Sequence, residues 1–335
     1  MAYGTLNAGA ITPGSGATLT IAETVSLTGD LVPSTALSNR NRLINGDFQV
    51  AQRATSFVAG ANNDDTYNLD RWYLLSDGND IVDVTQSSTA PTNQLTSIGL
   101  DVETANKKFG IAQIIESNNC VGLIGNNVTF SFKAKVSDVS KLDNVKAAII
   151  SWSSTADAVT SDVVSAWAVE GTNPTLASNL TYENTPADLN LTTSWATYSV
   201  SATIDTSSTT NVVVFIWSDV TDTTAGHFLH ITDCQIEQGS TATPYERMSY
   251  ADEFPKCQRY YTYSNLDVGR LHGCLYIGST YIGQIFFKQT MRSAPTIADL
   301  TGSYTGTGSI GTGSFHFSKT SAAAYIDTYT ASAEL

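Results

Sequence analysis

Polar and apolar side chains alternate one for one through Val128-Thr-Phe-Ser-Phe-Lys-Ala-Lys-Val136. Phe130, Phe132, Ala134 and Val136 fall on one face, and Thr129, Ser131, Lys133 and Lys135 on the other. A period of two is the mark of a half-buried strand. Similar short runs at residues 95–103, 109–116, 145–153, 195–204, 212–218 and 227–236 predict further strands, separated by Asn, Asp, Gly and Ser. Helical periodicity is nearly absent. Many short strands with no helices between them predict an all-β chain whose centre, residues 43–248, is an antiparallel β-sandwich. One run breaks phase: Leu229 and Ile231 share a parity, whereas Cys234 and Ile236 share the other. Burying all four on one face requires a bulge near Asp233.

The flanks read differently. Residues 1–42 are rich in Gly, Thr, Ala and Ser, with short apolar alternations at 17–21 and 25–27, too few to build a core. They predict an extended arm ordered by another chain. Residues 249–335 begin with a short turn or helix at 250–261. Strands follow at 271–277, 281–289, 314–318 and 324–329, with a polar Gly/Thr/Ser loop at 301–313. So small a β unit would expose strand edges, and pairing with other copies is the expected remedy.

Composition narrows the function. Only 14% of the 335 residues are charged, well below the roughly 25% of an average soluble domain. The net charge is −14, and no Lys or Arg occurs between Lys146 and Arg247. Phosphate backbones and anionic membrane surfaces both require basic side chains, so neither nucleic acid nor membrane is an expected partner. No apolar run approaches the roughly 18 residues of a membrane span, and the first residues lack a signal peptide's basic flank and apolar core. Cys120, Cys234, Cys257 and Cys274 match no zinc spacing and read as buried free thiols.

Catalytic motifs are weak. His227 and His230 point to opposite faces of a regular strand. Gly306-Thr-Gly-Ser-Ile-Gly311 matches a dinucleotide fingerprint only in letters, since no crossover helix follows. Asp64, Asp65, Asp70, Asp77 and Asp80 could supply paired carboxylates for glycoside hydrolysis, but loop acids in an Asp-rich chain are ordinarily solvated. Asn-x-Thr triplets at Asn127, Asn179 and Asn190 follow from the abundance of Thr. For sugar recognition the aromatic candidates are Trp72, Trp152, Trp167, Trp195 and Trp217. Gln113 sits among apolar neighbours and could face a groove with Lys133. The candidate carbohydrate contacts are therefore Gln113, Lys133, Trp152 and Trp217. The two tryptophans stand in phase with Ala148 and Ile150, and with Val213 and Phe215, which is also the pattern of core residues.

Several separated segments carry a resemblance. Asn41-Arg-Leu-Ile-Asn-Gly-Asp-Phe-Gln-Val-Ala-Gln-Arg53 with Leu69-Asp-Arg-Trp72 resembles the opening of jelly-roll modules in bacteriophage tail and virion proteins. Gln113-Ile-Ile-Glu116 and Gly125-Asn-Asn-Val-Thr-Phe-Ser-Phe-Lys-Ala-Lys135 resemble their central strands. Asp233-Cys-Gln-Ile-Glu-Gln-Gly-Ser-Thr-Ala-Thr-Pro-Tyr-Glu-Arg247 resembles their close. Cys257-Gln-Arg-Tyr-Tyr261 and Met291-Arg-Ser-Ala-Pro295 are similar to segments downstream of that module in phage fibres.

The resemblance implies a jelly roll of the carbohydrate-binding-module type and a non-enzymatic tail fibre, homotrimeric and located in the virion after assembly in the host cytoplasm. Residues 1–42 would dock to the tail or to a nozzle or adaptor protein. Residues 43–248 would present a host cell-surface glycan site, and residues 249–335 would trimerise or form the tip. Two alternatives stay open: a capsid decoration or head fibre, and a glycan depolymerase, although the long β-helical repeat of depolymerising tailspikes is not seen. The broader module family often carries a structural calcium ion, which here would fall to Asp47 and Asp233. Gln49 stands where a Glu is common, and calcium prefers charged oxygen ligands.

Overall fold

The computed structural model describes residues 38–219, 223–265, 275–320 and 324–335. Almost all of the predicted arm, together with Cys274, lies outside the described residues. Two six-stranded antiparallel sheets face each other in a jelly-roll sandwich. The first sheet orders its strands Ser56–Phe57, Val82–Ser87, Ser97–Val102, Phe228–Gln238, Asn127–Val136 and Ala196–Thr203. The second runs Leu180–Tyr182, Val145–Trp152, Asn211–Ser218, Phe109–Ile115, Tyr73–Ser76 and Thr66–Tyr67.

The predicted alternation builds the core between the sheets. Phe130, Phe132, Ala134 and Val136 point inward with Val82, Val84, Ile98 and Leu100, and meet Ile111, Val212, Val214 and Ile216 from the second sheet. The bulge stands where the phase break placed it. Pairing with Asn127–Val136 slips between Thr232 and Gln235, and Asp233 takes a φ of 55°. Leu229, Ile231, Cys234 and Ile236 consequently share one core.

The second sheet is apolar on both sides. Its outward residues, among them Tyr73, Ile114, Ile150, Phe215 and Trp217, lie beneath Val159, Val163, Trp167, Leu176 and Leu335. Leu335 apart, that cover comes from the excursion between Val145–Trp152 and Leu180–Tyr182, and it accounts for the unbroken apolar run Val212–Trp217. Strands buried on both faces lose their alternation.

Beyond the sandwich, the helix Tyr250–Gln258 is capped by the Ser249 hydroxyl, which accepts the Asp252 N–H. A three-stranded sheet (Tyr261–Asn265, Tyr325–Ser332, Thr296–Ser303) and a four-stranded one (Leu275–Ile277, Thr280–Phe286, Ser314–Thr320, Gly306–Gly308) share a core that includes Ile285, Phe315, Phe317 and Tyr329. The stretch expected as a loop over 301–313 thus contributes two strand segments, because Gly306–Gly308 pairs with Ser314–Thr320. This region is tied to the sandwich by buried ions. Glu334 takes both Arg53, at 3.1 Å, and the fully buried Arg71, whose guanidinium also lies 3.6 Å over the Tyr260 ring. Glu116 accepts from Arg259 and from the Tyr260 hydroxyl. Cys120, Cys234 and Cys257 are buried free thiols, as expected.

Candidate functional site

The outer face of the first sheet carries what the alternation turned away from the core. Cross-strand register sets Thr85, Gly99, His230 and Lys135 in one row. Asp83, Asp101 and Phe228 form the next row, and Thr232, Lys133 and Thr197 another. Further along, the chain returning over 239–248 covers the face. Glu237 there accepts from the Thr243 N–H at 2.8 Å, and Gln235 accepts from the Glu246 N–H at 2.8 Å, so both are buried.

On the open part, the His230 imidazole lies parallel to Phe228, with ring centres 5.6 Å apart and planes within 3°. Trp195 stands 6.3 Å from the same imidazole. Gly99 makes this placement possible. A Cβ there would stand 2.9 Å from Thr85 Oγ1 and 3.2 Å from His230 Cε1. Burial, reinforced by the Lys135 ammonium, lowers the His230 pKa to about 4. The ring is therefore neutral at pH 7, with one nitrogen to donate and one to accept.

Asp83 and Asp101 face each other across the strand pair, a like-charge arrangement that lowers sheet stability. Both carboxyls are pushed up by burial first and by Glu103 next. Asp83 accepts from the Asn62 amide at 3.1 Å, whereas Asp101 Oδ1, shielded from solvent, has no hydrogen-bond partner among the described residues. Aromatic faces, a neutral imidazole, an unsatisfied carboxylate and an ammonium thus converge on one sheet surface. Ring faces accept the C–H side of a polyhydroxylated ligand, and carboxylates accept its hydroxyls.

The residues singled out from sequence are distributed elsewhere. Gln113 does not meet Lys133 in a groove, and this corrects the expectation. It belongs to the other sheet, is buried, and its amide both donates to the Ile44 carbonyl and accepts the Ile44 N–H, each at 2.8 Å. Its polarity serves the backbone of the first loop. Lys133 is on the open sheet, and its ammonium is 2.8 Å from Asp233. Trp217 is fully buried, stacked on Phe215 at 4.7 Å, beneath the cover of the second sheet. Trp152 packs against the same cluster and donates its indole N–H to the Thr155 carbonyl. Trp217 offers no free face, and Trp152 is half-buried against the same cover. Trp72 is likewise buried, donating to the Asn45 carbonyl, and Trp167 belongs to the cover. Of the five tryptophans, Trp195 is the one on the open face. His230 and Phe228 were missed as site residues. Their alternation with Leu229 and Ile231 marks them as outward-facing, but only the register reveals Gly99 beneath the imidazole.

Asp47 and Asp233 are both buried but do not assemble a calcium site. Asp233 accepts from the Gln94 amide and from Lys133, so both its oxygens are taken by donors. Asp47 stands 3.8 Å from Arg247, and its pKa is raised to about 6 by burial and by Glu253. No three metal-ligating side chains of the His, Cys, Asp or Glu type converge among the described residues. Gln49 turns its amide to the Met248 carbonyl. The residues present do not fit the oxygen cage that calcium requires. The loop acids are held by local structure: Asp64 accepts the Ser76 N–H, Asp70 accepts from Gln52, and Asp77 pairs with Lys107.

No protein-family model matches the chain, and no characterised protein matches it in sequence. Among solved structures it is similar to the enzymatically active domain of tailspike protein 4 from bacteriophage CBA120. That match has 14% identity and a TM-score of 0.39, and covers 59% of this chain and 21% of the tailspike chain. It is also similar to TmCBM61 in complex with beta-1,4-galactotriose, at 14% identity and a TM-score of 0.33, over 60% of this chain and 100% of that one. The CBM22-1 xylan-binding domain from Paenibacillus barcinonensis matches at 11% identity and a TM-score of 0.34, over 61% and 100%. At such identities and scores these neighbours assign no ligand or activity to this chain.

Proposed function

We propose that this chain is a glycan-binding structural protein of a phage virion, of the tail-fibre type, and that the open face of its first sheet holds the saccharide. The observation that carries the reading is the group formed by Phe228, His230 and Trp195 beside the opposed pair Asp83 and Asp101. A sheet face with no ligand to meet gains nothing from juxtaposed carboxylates and a glycine cleared for an imidazole. The virion assignment draws on the segments over 41–297 that resemble fibre modules. On this reading the protein does not cleave the glycan, and residues 1–42 attach it to the tail.

The homotrimer belongs to the same proposal. Leu275, Tyr276 and Ile277 form an exposed apolar strand at the edge of the four-stranded sheet, with Phe286 exposed nearby. Pairing with another copy would cover such an edge. The resemblance to fibre proteins makes three the expected number, and repetition would turn weak sites into useful avidity. Light scattering at micromolar concentration should give three times the 35.7 kDa chain mass; a monomeric mass overturns the trimer.

Binding is tested by calorimetric titration of the full chain with panels of oligosaccharides extracted from host surfaces, alongside Trp195→Ala. Saturable binding lost in the variant supports the sheet face. Binding unchanged by Trp195→Ala moves the site elsewhere, and release of reducing sugar during the titration would make the protein an enzyme.

A further inference from the structure

A second surface differs from the sheet face in chemistry. Between the segment Asn39–Ile44, the short turn Ser117–Cys120 and the helix Tyr250–Gln258 lies a cleft of about 330 Å³. That volume sits at the lower end of small-ligand pockets, about 300–1,000 Å³. Three cations line it, Arg42, Lys256 and Arg259, in a chain with 17 basic and 31 acidic residues. The two acids of the cleft are already saturated. Glu116 receives Arg259 Nη2 at 2.6 Å and Nε at 3.1 Å, together with the Tyr260 hydroxyl at 2.6 Å. Glu246 receives the backbone N–H groups of Asn39, Arg40 and Asn41 at 2.6, 2.6 and 3.1 Å. Both carboxyls are accordingly held below their ordinary range, against the opposing effect of burial.

Neither remaining cation is held by a carboxylate at ion-pair distance among the described residues. The exposed Arg42 forms no ion pair among the described residues, and one guanidinium nitrogen lies close to Gly122, just beyond the turn that carries Asn118 and Asn119. The Lys256 ammonium lies 2.7 Å from the Met248 thioether; Glu253, one turn earlier, feels its charge but gives its carboxylate to the Asn45 N–H. Asn118 and Asn119 add amides to the same cleft. The cleft therefore presents two cations outside any close ion pair among the described residues, with several amides around one cavity, which suits an oxyanion together with neutral hydroxyl groups.

We infer that this cleft binds a saccharide unit bearing an oxyanion, a carboxylate or a sulfate, through Arg42 and Lys256, with Asn118 and Asn119 meeting its hydroxyls. The inference does not rest on the sheet-face reading. The full chain is titrated calorimetrically with trigalacturonate, with a 6-sulfated galactose oligosaccharide, with neutral galactotriose and with sodium sulfate. Binding of either acidic oligosaccharide, weakened about tenfold or more in Arg42→Gln and in Lys256→Gln, supports the site and identifies the anion. Equal binding of galactotriose overturns the anionic preference, and equal binding of sodium sulfate reduces the cleft to an ion site without sugar recognition. Acidic oligosaccharides that fail to bind at millimolar concentration, or that bind both variants as tightly as the parent, overturn the inference. Trp195→Ala, expected to change this affinity less than about twofold, separates failure here from failure on the sheet face. Circular dichroism confirms that the variants are folded.

Discussion

Trp217 and His230 both point outward from the sandwich, on opposite sheets. Trp217 is fully buried, stacked on Phe215 and flanked by Tyr182, in the cluster that also holds Val159, Val163 and Trp167. His230 belongs to a face built from Asp, Thr, Ser and Lys and is itself mostly buried beside Phe228 and Trp195. The second sheet acquired its cover from the residues between Val145–Trp152 and Leu180–Tyr182 and from Leu335; the first is covered in part by the return over 239–248, which holds Gln235 and Glu237, and by the segment before Ser97, whose Thr89 and Thr96 carbonyls accept from Ser97 and Thr232. Aromatic residues on the covered side add stability, while those on the open side are free to meet a ligand. An aromatic side chain becomes a binding platform when the chain leaves it uncovered, whatever its type.

The largest effect is expected on the covered side. Trp217→Ala should lower stability by about 3–5 kcal/mol, read from the denaturant midpoint; a variant as stable as the parent would mean that the cover is loose. Next in size is Gly99→Ala, whose methyl group enters a space bounded by Thr85 Oγ1 and the His230 ring. It should lose about 1–3 kcal/mol and bind saccharide more weakly, because the imidazole must move. Trp195→Ala, on the open side, should change stability by less than about 1 kcal/mol and lower saccharide affinity about tenfold.

The smallest effect is a pH slope. His230 has a folded pKa of about 4 against an ordinary 6.5, so between these values the unfolded chain binds more protons and stability rises with pH. The contribution is complete above about pH 6.5 and is lost as pH falls toward 4. Asp47 and Asp65, both raised to about 6 chiefly by burial, oppose it: the folded state keeps their protons longer, so their contribution falls as pH rises from 3.8 to 6. The informative measurement is thus the difference between the parent and His230→Asn. Urea midpoints from pH 4 to 7 should show a shallower rise in the variant, and parallel curves would refute the burial of a neutral imidazole.

Much of the sandwich is readable from local pattern. The alternation over Val128–Val136 placed Phe130 and Phe132 in the core and Lys133 and Lys135 outside. The clash of parity around Asp233 was enough to locate the bulge, because a strand has only two faces. The site was less readable, for specific reasons. Gln113 looks like a misplaced polar residue in an apolar strand until Ile44, 69 positions away, supplies the backbone groups that complete its amide. Trp217 is in phase with Val213 and Phe215, but where both faces of a strand are apolar the phase does not say which face meets the other sheet. Asp47 and Asp233 stand at positions suited to calcium; Lys133 and Arg247, from other segments, supply the positive charge beside them.

Local pattern was sufficient for the alternating strands such as Val128–Val136, their inward and outward residues and the break in phase at Asp233, because each depends on neighbours within a few positions. Tertiary structure alone decided which outward face would be covered, which tryptophan would stay accessible and which carboxylates would find a cation. Those outcomes depend on cross-strand register and on where long excursions return, and both follow from contacts between residues tens to hundreds of positions apart.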